Sequence, residues 1–127
     1  MTEQEKRDLI NRYLDAYNAF DVEGMMDTVH PDVEFQNVSG GEVNAVASGA
    51  DEFRRMAEQA TALFSSRQQR GMGFHASEGG ASIDVAYEGV LATNFPNGMK
   101  AGETLKLEGR SEFEFKDGKI VRVVDYS

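Results

Sequence analysis

The chain has 127 residues, 40% of them hydrophobic, enough for one continuous core and too few for two ordinary domains. Its formal charge of −9 excludes the clustered Lys and Arg footprint that a nucleic acid or an anionic membrane requires. It has no cysteine, so a disulfide framework and a thiolate metal site are both excluded, in keeping with a reducing compartment.

The opening residues, Met1 to Lys6, are charged where an export signal is apolar, and no later apolar run approaches the length of a membrane span. The expectation is a soluble, cytoplasmic protein. Asn37-Val38-Ser39 fits the glycosylation acceptor pattern, which without export signals is read as chance. Thr2 with Glu5 forms a capping box, and Leu9, Ile10, Tyr13, Leu14, Tyr17 and Phe20 follow at helical spacing, predicting a helix over 3–19. Asp21 caps a second, shorter helix carrying Val22, Met25, Met26 and Val29, which Pro31 is expected to stop.

Val33 to Val38 alternates apolar and polar residues before Ser39-Gly40-Gly41 breaks it, so a half-buried strand is predicted with Val33, Phe35 and Asn37 on one face. Ser48 is placed as the cap of a third helix, with a stripe of Phe53, Met56, Ala57, Ala60, Leu63 and Phe64. From about residue 66 long strands take over. Glu78-Gly79-Gly80-Ala81 reads as a two-residue hairpin pairing Ala76 with Ile83, Phe74 with Val85 and Met72 with Tyr87 on an apolar face. His75 then stands opposite Asp84 on the other face.

Leu105, Leu107, Gly109, Ser111, Phe113 and Phe115 alternate with charged residues, the clearest period of two in the chain. Lys116-Asp117-Gly118 suits a three-residue turn that sets Phe113 beside Val121, Ser111 beside Val123 and Gly109 beside Asp125. A two-residue turn would set Arg122 beside Phe113, against burial. Helices first and meandering strands later make an α+β domain spanning 1–127, whose sheet curls so that its concave side encloses a pocket.

The order of these elements resembles a known family. Arg12 to Gly24, with its Asn-Ala-x-Asp-x-x-Gly turn, is similar to the opening of ketosteroid isomerases and SnoaL-like polyketide cyclases. His30 to Phe35 resembles the family's entry to its first strand, Gly49 to Phe53 its third-helix start, and Phe115 to Ile120 its closing hairpin. The resemblance covers nearly the whole chain. It implies the cystatin-like, nuclear transport factor 2-like cone, with three N-terminal helices on a curved, mostly antiparallel sheet. It does not fix an activity, because this fold hosts isomerases, cyclases, dehydratases, epoxide hydrolases and binders without catalysis.

In the isomerases a tyrosine of the first helix and a protonated carboxylic acid form an oxyanion hole, and an aspartate of the first strand shuttles the proton. The resemblance puts the tyrosine at Tyr13, the base at Asn37 and the oxyanion acid at Ser111. An amide cannot take and release a proton at neutral pH, so that mechanism does not carry over.

The remaining general-base candidate is Asp125, turned inward with a raised pKa, or else an exposed carboxylate at a frayed end. Tyr13 and Tyr17 either point hydroxyls into the cavity or sit in the core. Asn37 is either a polar cavity contact or a cap for the turn after it. Phe35, Phe74 and Phe113 complete the expected lining with Ser111.

His75 pairs on the surface with Asp84 unless it acts as a base, and His30 faces a helix C-terminus. With no His-x-x-x-His spacing, no metal site is expected. Gly71 to Ala76 matches a dinucleotide fingerprint in letters only, since it leads into a strand. Gly80-Ala81-Ser82-Ile83-Asp84 likewise misses the nucleophile-elbow pattern at its fifth position.

The function expected is binding of a small, largely apolar molecule, with acid-base chemistry that needs no cofactor: cyclisation, isomerisation or dehydration. The alternative is a non-catalytic binding or dimerisation module. The resemblance also implies a homodimer through the outer sheet face, which carries His75, Asp84, Ala86, Val90, Ala92 and Arg110.

Overall fold

A computed structural model describes residues 1–127. The chain runs α1 (Glu3–Asn18), α2 (Val22–Met26), β1 (Val29–Ser39), β2 (Glu42–Ser48), α3 (Ala50–Thr61), β3 (Phe64–Ser77), β4 (Gly80–Leu91), β5 (Thr104–Lys116) and β6 (Lys119–Tyr126). One six-stranded sheet has the order β2-β1-β6-β5-β4-β3, antiparallel throughout except where β1 lies parallel to β6. This is the α+β cone with three helices that the sequence predicts.

Helix α1 starts at the Thr2–Glu5 capping box, both halves of which are formed. Its apolar stripe packs on the sheet, and two polar ties fix its pitch. Near the start Lys6 Nζ donates to the Ser77 carbonyl at 2.7 Å. Near the end Asn18 both donates to the Gln69 carbonyl and accepts from its N–H, at 3.0 and 2.7 Å. The chain then reverses through Phe20, whose φ of +58° lies in the left-handed region, and Asp21 caps α2 through the Gly24 N–H.

The core joins helices and sheet through Phe53, Val33, Ile120 and Val123, all fully buried. Phe53 meets Phe35 at 6.2 Å and Tyr13 at 6.4 Å between ring centroids. Tyr13 stands edge-on to Phe113 at 6.1 Å. Truncating a ring so placed costs about 3–5 kcal/mol.

Several expectations are corrected. Helix α2 ends at Met26, and Pro31 lies inside β1, before the β2 pairing begins and in a gap of the β6 pairing, where no ladder N–H is needed. His30 is therefore a strand residue near Asp117, 3.4 Å from its carboxylate, and faces no helix end. Gly49 is the N-cap residue of α3; Ser48 instead binds Glu34 through its hydroxyl and Glu52 through its N–H. Phe64 starts β3 and is not helical.

Both hairpin registers differ from expectation, first at the turn itself and then through a bulge beyond it. At the β3–β4 turn Ala76 pairs with Ala81 and His75 with Ser82. A bulge at Gly73, with φ of +58°, then turns Met72 outward opposite Asp84, half exposed, and leaves Gly71 opposite Val85. The β5–β6 turn has two residues, Asp117 and Gly118, both at positive φ. A shift beside Phe115 restores the inward face, so Phe113 pairs with Val123 and Ser111 with Asp125.

Candidate functional site

Curling of the sheet over the helices leaves a cavity of about 410 Å³ lined by residues from every strand and all three helices. Its mouth is marked by Leu63 and Leu107, 40% and 43% exposed although both belong to apolar stripes. Apolar walls with a few convergent polar groups are the usual character of a small-molecule site.

The first polar cluster arises from the register of β1, β6 and β5, which sets Asn37, Asp125 and Ser111 side by side on the concave face. The Ser111 hydroxyl donates to Asp125 Oδ1 at 2.6 Å. Burial raises the Asp125 carboxyl to about 6, and the Ser111 hydrogen bond opposes that rise only in part. The end of the chain is not frayed. Ser127 N–H donates to the Val38 carbonyl and the Gly40 N–H to the Ser127 carbonyl, so the end of β6 is held to β1 past Asp125. Asn37 donates to Asn44 Oδ1 at 2.8 Å across β1 and β2, and does not cap the turn after it.

Tyr13 projects from α1 into this region and is 4% exposed. Burial first, then the negative charge of Asp125, pushes its phenol well above the ordinary value, so it keeps its proton. One helical turn on, Tyr17 belongs to a second polar cluster. Its hydroxyl lies 2.9 Å from the Tyr87 hydroxyl, and burial raises both phenols.

Beneath Tyr17 lies a group that sequence reasoning missed: Arg67, 6% exposed, with its guanidinium carbon 3.7 Å from the Tyr17 ring centroid and 4.5 Å from that of Phe20. No spacing pattern singled the residue out, and the packing of α1 and Phe20 on β3 encloses it. Gln69, paired with Tyr87 across β3 and β4, was missed with it because the bulge at Gly73 changes which residues of β3 face inward; Tyr87 stands on the face expected of it.

Of the expected lining, Tyr13, Tyr17, Phe35, Asn37, Ser111 and Asp125 border the cavity. Phe74 and Phe113 do not. Phe74 is partly buried against the core, with the Arg7 guanidinium 4.4 Å over its ring, and Phe113 is packed solid against Tyr13.

A family model described as a SnoaL-like domain matches residues 10–123. The chain belongs to the SnoaL-like family. Among solved structures, this SnoaL-like chain is similar to a proposed polyketide cyclase from Xanthomonas campestris pv. campestris, with TM-score 0.84 and 23% identity over 98% of this chain and 91% of that one. It is also similar to a proposed polyketide cyclase from Silicibacter sp. TM1040, with TM-score 0.79 and 26% identity over 97% and 88%. A third is a protein of ketosteroid isomerase-like fold from Catenulispora acidiphila in complex with trimethylamine, with TM-score 0.76 and 11% identity over 94% and 84%. No curated protein matches the chain. No group of three or more His, Cys, Asp or Glu is placed to hold a metal ion, and no helix is long and apolar enough to cross a membrane.

Proposed function

We propose that this SnoaL-like chain binds a small, largely apolar molecule in the cavity and moves a proton on it without a cofactor, in a cyclisation, isomerisation or dehydration. The observation that carries the reading is Asp125: a carboxyl buried on the cavity wall, anchored by Ser111 and raised to about 6. A general base works best when its pKa lies near the operating pH, and such a group contributes about 10²–10⁴-fold to rate. At neutral pH Asp125 is mostly ionised, with Oδ1 taken by Ser111 and Oδ2 left for a substrate proton. Tyr13, held neutral by its surroundings, then donates to the oxyanion that develops as the proton leaves.

A second reading, a non-catalytic binding module of the same fold, is favoured by Asn37. Its amide stands where the isomerases' base would stand by resemblance, and it is held by Asn44. The open cavity and the absence of Phe74 and Phe113 from its walls support the catalytic reading instead. Homodimerisation through the outer sheet face and a cytoplasmic setting are part of the same proposal; sedimentation velocity checks the first.

The test begins with a thermal-shift screen of polyketide-like and steroid-like ketones. A saturating ligand at 100 times its dissociation constant stabilises by about 2.7 kcal/mol. Exchange of the bound ketone's carbon-bound hydrogen with solvent deuterium, followed by NMR, reports the chemistry. Asp125→Asn is expected to lower exchange at least about 100-fold while the thermal shift persists. Exchange at the wild-type rate in Asp125→Asn would leave only the binding reading.

A further inference from the structure

Outside the Asp125 cluster, the cavity is bordered by Arg67. Its Nε donates to the Tyr17 carbonyl at 2.9 Å, but both terminal nitrogens, Nη1 and Nη2, are buried with no hydrogen-bond partner. An ionised guanidinium out of water is costly unless its donors are met, and π faces satisfy the charge without satisfying the N–H groups. The surroundings are arranged to keep it there. Phe20 holds one ring against it from a left-handed backbone position that non-glycine residues rarely take, and Tyr17 holds the other. No carboxylate pairs with it, although the chain carries 22 acidic residues.

We propose that the ligand carries a carboxylate, and that Arg67, with the Tyr17 and Tyr87 hydroxyls, receives it at the end of the cavity away from Asp125. This deepens the proposed function and rests on the same cavity, but the recognition is separate from the proton transfer. The guanidinium fork matches a carboxylate's two oxygens, a geometry that a ketone or an amide meets only in part. The Tyr17–Tyr87 pair uses one hydroxyl hydrogen between its two oxygens and leaves the other for the ligand. Tyr13 and Tyr17 stand one turn apart on α1, one beside each polar cluster, with a rise of roughly 6 Å between their backbone positions. That span is about one ring. The class of ligand is therefore a small cyclic or aromatic carboxylic acid whose acidic C–H lies about one ring from its carboxylate.

The probes are 2-naphthoate and its neutral isostere 2-naphthamide, titrated by calorimetry against the wild-type chain, Arg67→Met, Arg67→Lys and Asp125→Asn. The expected result is naphthoate binding at least about tenfold tighter than the amide, with that preference lost in Arg67→Met and reduced in Arg67→Lys, which keeps the charge without the fork. Asp125→Asn is expected to retain the preference, so a failure of the base assignment leaves this result standing. Equal binding of the two probes, a preference that survives in Arg67→Met, or no naphthoate binding at millimolar concentration would each overturn the proposal. Should Arg67→Met fail to fold, Arg67→Gln takes its place: loss of the preference there supports the proposal and its survival overturns it.

Discussion

Asp125 pays for its position with stability. Its carboxyl goes from about 3.8 in the unfolded chain to about 6 in the fold, so the folded state holds the proton more tightly. Below about pH 4 both states are protonated and the burial is nearly free. As pH rises from about 3.8 to about 6 the unfolded chain ionises while the fold still holds the proton, so stability falls by up to about 3 kcal/mol, a loss that is complete a little above 6 and persists at neutral pH. Asp125→Asn is expected to be more stable than wild type at pH 7 by about 2–3 kcal/mol and to show no such gain at pH 4, which urea unfolding at the two pH values checks. Tyr13→Phe is expected to lower turnover by about 100-fold with little change in ligand affinity, because the phenol acts on charge that develops only in the transition state. Asp125 was legible in the sequence because its alternation with Val123 and Val121 turned it inward. Arg67 was not: its enclosure depends on a ring delivered by the strained Phe20, which no spacing rule anticipates.

Among the elements, the helices and the alternating strands were legible from periodicity and caps, and the faces of β1 and β5 were read correctly. Pairing partners were not. A period of two shows which side a residue faces, and it is blind to a bulge that adds one residue and restores the same side further on. The β5–β6 hairpin illustrates this: the two-residue turn rejected on burial grounds is the one used, and the shift beside Phe115 removes the objection. The outcome moves Asp125 from Gly109 to Ser111, where it finds its hydrogen-bond donor. Gly109 has its own task. A Cβ there would overlap the Tyr126 carbonyl oxygen, so Gly109→Ala is expected to push the end of β6 away. The variant should lose about 2 kcal/mol or more and lower proton exchange, through displacement of Asp125, as measured by thermal unfolding and the deuterium assay.

For the whole molecule, a net charge of −9 surrounds a cavity whose buried cation is Arg67. An acidic ligand must approach against that field, which salt screens, and then meets a buried partner that salt screens little. Raising ionic strength from about 0.01 to about 0.15 M shortens the screening length from about 30 to about 8 Å. The association rate of 2-naphthoate, followed by stopped-flow fluorescence, is expected to rise about two- to threefold over that range with the dissociation rate nearly constant. The cone brings the two polar clusters to one cavity from residues far apart in the chain, which is why the order of elements pointed to a pocket and not to its contents. The most direct measurement is a carbon-13 NMR titration of the aspartate carboxyls in the ligand-free protein. One resonance, absent from Asp125→Asn, is expected to titrate near 6 and to move higher in Ser111→Ala; an Asp125 resonance titrating near 3.8 would contradict the account of a buried base.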